Sequence, residues 1–110
     1  MKWVGTYILN ASAGEEGIVD AIQVPSGRKI HITRVTFYFP SGSNYLLEVA
    51  LYLGETKALP DVGTIVGDTS PVSVGCDLTY QSGEYIKVYY KNNDGTNAHK
   101  CFIVMEGEVI

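Results

Sequence analysis

Two histidines and two cysteines, His31, His99, Cys76 and Cys101, are the first side chains to test for binding a metal or attacking a substrate. Their spacing supports neither role. The histidines are 68 positions apart (99 − 31) and form no HxH or HExxH pattern, and the cysteines form no CxxC, so no short segment presents two ligands to one ion. The serines include none in a GxSxG turn, and Cys76 falls on the inward phase of an alternating segment, where a thiol is desolvated and unreactive. No metal or cofactor is expected, and the residues favour a non-enzymatic chain. Bridged, Cys76 and Cys101 would close a loop of about 25 residues, worth on the order of 3 to 4 kcal/mol. The alternative is a pair of buried thiols close in space, which suits a reducing cytosol better.

The polar cluster NNDGTNAH, residues 92–99, is a second candidate. A calcium loop needs several carboxylates at close spacing, and Asp94 is the only one here. Asp94-Gly95 is by contrast a strong hairpin dipeptide, so the cluster is expected to be the tip of a hairpin joining residues 85–91 to 100–108.

The tyrosines are more informative. In YIKVYYK, residues 85–91, the inward phase is Ile86, Val88 and Tyr90, which leaves Tyr85, Lys87, Tyr89 and Lys91 on the outer face. Tyr52 faces outward from another alternating run. The segment CFIVM, residues 101–105, is apolar on both phases, so the outward Phe102 and Val104 need a cover, either loops or another chain. Tyr52, Tyr85, Tyr89, Phe102 and Val104 are the expected interface residues. Cross-strand tyrosine and lysine pairs on an ordinary exposed sheet are the competing explanation for the tyrosines.

The elements that must position these residues are strands. No segment has apolar residues at helical spacing over ten positions, whereas β-branched and aromatic residues abound and turn clusters recur. Strands are expected at 3–9, 18–24, 29–39, 45–53, 71–80, 85–91 and 100–108, with a short eighth at 64–66 inside the irregular stretch 54–68. Between Thr33 and Arg34 the apolar phase shifts by one, from Ile30 and Ile32 to Val35, Phe37 and Phe39, as a β-bulge or a bend between sheets requires. Pro40-Ser41-Gly42-Ser43-Asn44 ends that strand. The fold expected is all-β: a two-sheet antiparallel sandwich of seven or eight strands, of jelly-roll type, with residues 1–110 as a single domain.

Composition narrows the partners. At 110 residues the chain can bury one core, and 45% hydrophobic against 18% charged residues leaves little charge for a lone monomer. Twelve acidic and eight scattered basic residues, net −4, offer no phosphate-tracking stripe, so no nucleic acid is expected. The apolar stretch near the N-terminus stops at Leu9, too short for a signal-peptide core or a membrane span. No membrane partner is expected. The chain is expected in the cytoplasm of the producing cell or in a virion.

The run VPSGRKIHITRVTFYF, then LLEVALYLGETKALP, then SGEYIKVYYKNNDGTNAH and a closing apolar strand ending in Glu106-Gly107-Glu108, resembles small single jelly-roll structural proteins of viruses and phages, of minor capsid, turret or head-decoration type. The resemblance is one of strand rhythm and turn chemistry over most of the chain. It implies a non-enzymatic subunit that assembles with itself or with other virion proteins. Two other functions fit the same sequence: a carbohydrate- or small-ligand-binding module using Trp3 and the outward tyrosines as stacking platforms, and a small sandwich enzyme with residues 54–68 as its rim.

Overall fold

A computed structural model describes residues 1–40 and 42–110; of the expected turn at Pro40 to Asn44, Ser41 lies outside the described residues. Among the described residues eight strands follow one another: β1 Lys2–Ala11, β2 Glu16–Gln23, β3 Ile30–Tyr38, β4 Leu47–Leu53, β5 Thr56–Leu59, β6 Val72–Tyr80, β7 Tyr85–Asn92 and β8 His99–Val109. They form two four-stranded sheets, β1-β8-β3-β6 and β2-β7-β4-β5, in which every neighbouring pair is antiparallel. Consecutive strands mostly lie in opposite sheets, and chain neighbours pair only at β4-β5. That interleaving is the jelly roll anticipated from the strand rhythm.

The alternation of apolar and polar residues explains why the sheets stack. Ile30, Ile32, Val35 and Phe37 from β3 and Cys101, Ile103 and Met105 from β8 meet Leu47, Val49 and Leu51 from β4 and Ile86 and Val88 from β7, all fully buried. Each of the larger side chains contributes on the order of 1.5 to 3 kcal/mol by leaving water.

The phase shift in β3 is a β-bulge. Register against both neighbours slips between Ile32 and Arg34: Gly107 and Glu106 of β8 pair with these two residues, so Thr33 has no opposite number there, while Cys76 and Asp77 of β6 both fall beside it. The extra residue returns Val35 and Phe37 to the core. It also presses the β3 backbone onto β8 so closely that a Cβ on Gly107 would overlap the His31 carbonyl oxygen.

Three expectations need correction. The eighth strand is β5, formed by Thr56–Leu59 folding back on the end of β4, while the 64–66 segment makes only one isolated bridge, Ile65 to Val49. The residues 85–91 and 100–108 are not a hairpin: β7 and β8 belong to different sheets, so the segment with Asp94-Gly95 crosses from one to the other. The cysteines are not neighbours. Cys76 lies beside the β3 bulge and Cys101 is one residue beyond the Phe102–Tyr38 pair, which separates them by roughly 20 Å along the strands, far outside the Cα spacing of a disulfide.

Candidate interaction surface

The crossover at residues 93–98 is held by its own side chains. Asn92, buried, donates from Nδ2 to the carbonyls of Ala11, Ser12 and Asn97 at 3.3, 3.1 and 3.0 Å. Asp94 Oδ1 accepts from the backbone N–H groups of Thr96 and Asn97 at 2.9 and 3.1 Å, and its Oδ2 lies 2.9 Å from His99 Nε2. The Thr96 N–H, then His99, then the Asn97 N–H hold the Asp94 carboxyl well below the usual carboxylate range. The aspartate and histidine side chains are 14% and 15% exposed and bonded to each other, and His99 also lines a shallow depression with Pro40, Gly42, Ala98, Lys100 and Phe102. Side-chain hydrogen bonds thus fasten a crossover between the two sheets where a hairpin tip was expected.

The other chemical candidates are dispersed. His31 Nε2 lies 2.5 Å from Asp77 Oδ1 at the outer face beside the bulge. Both cysteines are free thiols; burial pushes Cys101 up to about 12 and Cys76, half-buried with its Sγ donating to the Ile32 carbonyl at 3.5 Å, upward as well. Neither is poised as a nucleophile. Among the described residues no three of His, Cys, Asp and Glu gather to hold a metal ion. Trp3 is half-buried against the core, its ring over Gly5, and is not a free stacking platform. Residues 54–68 are tied to the sheet edge by Lys57 Nζ donating to the Gly63 carbonyl at 2.5 Å and by Thr64 Oγ1 donating to Glu48 Oε1 at 2.8 Å.

The five expected interface residues fall on two separate surfaces. Tyr52, Tyr85 and Tyr89 lie on the outer face of β2-β7-β4-β5, and Phe102 and Val104 on that of β1-β8-β3-β6. On the first face the polar side chains are largely bonded within the chain, while Ile18 is 52% exposed. Tyr89 Oη donates to Glu16 Oε2 at 2.5 Å, Lys87 Nζ lies 4.0 Å from Asp20 Oδ1, and the Tyr52 and Tyr89 rings stand 6.2 Å apart at a 40° tilt. The Glu16 hydrogen bond is the main cause that raises the Tyr89 phenol to about 12. Ala50, on the same outward phase as Tyr52, is fully buried. Tyr85 remains exposed, and a shallow depression lined by Ile18, Asp20, Tyr52, Gly54, Glu55 and Lys87 lies beside Tyr52.

The second face is apolar and open. Phe102 pairs across the sheet with Ile8 on one side and Tyr38 on the other; the next row is Thr6, Val104 and Thr36, and the next begins with Val4 beside Glu106. Phe102, Tyr38, Val4 and Ile8 are 38, 42, 52 and 58% exposed, and Val104 is half-buried. Sequence reasoning found Phe102 and Val104 through the doubly apolar last strand but missed Val4, Ile8 and Tyr38. The signal for the first two was present, because WVGTYIL, residues 3–9, is also apolar on both phases.

The architecture is that of an eight-stranded jelly-roll sandwich. No family model matches the chain, and no curated protein matches it. Solved structures do share the fold. A chain in the acidic stable capsid structure of Helicobacter pylori bacteriophage KHP30 superimposes with a TM-score of 0.56 at 17% identity, covering 100% of this chain and 97% of that one. A chain in the cyanophage Pam1 capsid asymmetric unit gives 0.54 at 11% identity over 96% of this chain and 83% of that one. A chain in the atomic structure of Sulfolobus Turreted Icosahedral Virus gives 0.63 at 12% identity, with 99% of this chain matching only 29% of that one. The likeness to viral and phage structural proteins is one of architecture.

Proposed function

We propose that the chain is a non-enzymatic assembly subunit of a virion, associating with copies of itself or with other virion proteins through its sheet faces. The observation that carries this reading is the uncovered row Ile8, Phe102 and Tyr38 with Val104 and Val4 beside it. An exposed contiguous apolar surface on a small chain with so few charges marks a protein contact. Capsid structures among the fold neighbours support it. The interface residues proposed are Phe102 and Val104 on one face and Tyr52, Tyr85 and Tyr89 on the other. Protein, rather than nucleic acid or membrane, is the partner that a scattered charge of −4 suits. The site of action is the virion, after synthesis in the cytoplasm of the producing cell.

Light scattering after gel filtration tests the reading. A discrete oligomer is expected for the wild type, and Phe102→Ser and the pair Tyr85→Ser, Tyr89→Ser report which face holds it. A wild type that stays monomeric at high concentration overturns self-association. The depression beside Tyr52 favours a second reading, a small-ligand or carbohydrate module; binding to a glycan panel by a monomer, abolished by Tyr52→Ala, would establish it instead.

A further inference from the structure

Along β8 the outward residues are Lys100, Phe102, Val104, Glu106 and Glu108; Lys100 and Glu106 bracket the two apolar side chains, Glu108 lies beyond them, and Arg34 of β3 stands opposite Glu106 while donating to Ser73. The two bracketing charges lie roughly 20 Å apart along the strand. Among the described residues neither belongs to an ion pair; those present join His31 to Asp77, Lys87 to Asp20 and His99 to Asp94. Ile8 and Thr6 flank the apolar pair on the β1 side, and Tyr38 and Thr36 on the β3 side.

We propose that this face packs against the same face of a second copy of the chain, about a two-fold axis that lies between the two sheets and crosses β8 at Ile103. The inference rests on the assembly reading and specifies its partner and geometry. Such an axis runs across the strands, so each strand lies over its own mate in the opposite direction. Lys100 then faces Glu106 of the second copy and Phe102 faces Val104, each contact occurring twice as an isologous interface demands. Tyr38 meets Thr36 and Ile8 meets Thr6 on either side. The other face-to-face two-fold, with its axis along β8, would set Lys100 on Lys100 and Glu106 on Glu106, and like charges directly opposed are destabilising. The charge order along β8 therefore selects one of the two arrangements.

The magnitudes are consistent with a modest interface. Four strands about 4.8 Å apart and about eight residues long present roughly 500 Å² of projected face per copy, at the low end of specific interfaces. Sheets packed about 10 Å apart and turned by about 30° leave room for the long lysine and glutamate side chains to meet at the rim. Rim charges contribute little affinity there, but they reject wrong registers.

Sedimentation equilibrium of wild type, Lys100→Glu, Glu106→Lys and an equimolar mixture of the two variants, at low ionic strength, tests this directly. Each single variant should weaken the dimer roughly tenfold, because both of its rim contacts become repulsive. The mixture should recover it as a heterodimer, since each variant supplies the charge the other needs, and circular dichroism confirms that each variant folds. A wild-type oligomer that persists in both single variants, or a mixture no stronger than its components, overturns the pairing while leaving assembly through another surface standing. A wild type monomeric across the whole concentration range overturns the pairing and the self-assembly reading together.

Discussion

At the scale of single residues the outer tyrosines divide. Tyr85 is open, whereas Tyr89 is bound to the Glu16 carboxylate, so only one of the two is a free surface group. The bond has a pH signature. A phenol held at about 12 in the folded chain, against 10 when unfolded, binds its proton more tightly when folded. Its contribution to stability is full below pH 10 and is lost as pH rises through 12. We expect an NMR titration of the tyrosine ring carbons to find Tyr89 ionising near 12 in the wild type and distinctly lower in Glu16→Gln. A Tyr89 titration unchanged in that variant would show that the carboxylate is not the cause. The outer face of the other sheet exposes Phe102, Ile8 and Val4, apolar side chains that no polar partner within the chain can satisfy, and the proposed two-fold contact covers them.

At the scale of the strands, alternation made most of the fold legible. The core phase of β3, β4, β6 and β7 follows from period-2 spacing, and the break in that spacing at Thr33 and Arg34 marked the bulge. Its consequence at Gly107 was not legible, because it depends on which strand lies next to β3. Replacing Gly107 by alanine should cost about 2–4 kcal/mol by urea denaturation, since the new methyl group meets backbone, not a yielding side chain. A loss under half a kilocalorie would mean that β8 can shift away from the bulge. Topology was the part that local sequence misled. Asp94-Gly95 has hairpin chemistry, yet Asn92 and Asp94 use their side chains to reverse the chain between sheets, and nothing within eight residues distinguishes the two outcomes. The cysteines failed for the same reason: their inward phase was readable, but their distance depends on strand order. The apolar outer stripe was half legible, found on β8 and missed on β1, because a single strand shows its phases but not its neighbours.

At the scale of the whole molecule, the two sheets bury one shared set of side chains, with Phe37 and Ile103 from one and Leu51 and Ile86 from the other. Among the described residues the buried side chains form this one cluster. We therefore expect residues 1–110 to unfold as one domain, with far-ultraviolet ellipticity and tyrosine near-ultraviolet signals giving coincident urea transitions. Separated transitions would mean that one sheet survives the other. Within that unit, β3 is an interior strand, where losing a residue ordinarily turns every following side chain to the wrong side. Thr33 alters that arithmetic. Without it, Ile30, Ile32, Val35, Phe37 and Phe39 would fall in unbroken alternation, so the strand carries one residue it can lose without inverting its core. Variation in chain length, commonly the privilege of loops, is thereby open to the middle of a sheet.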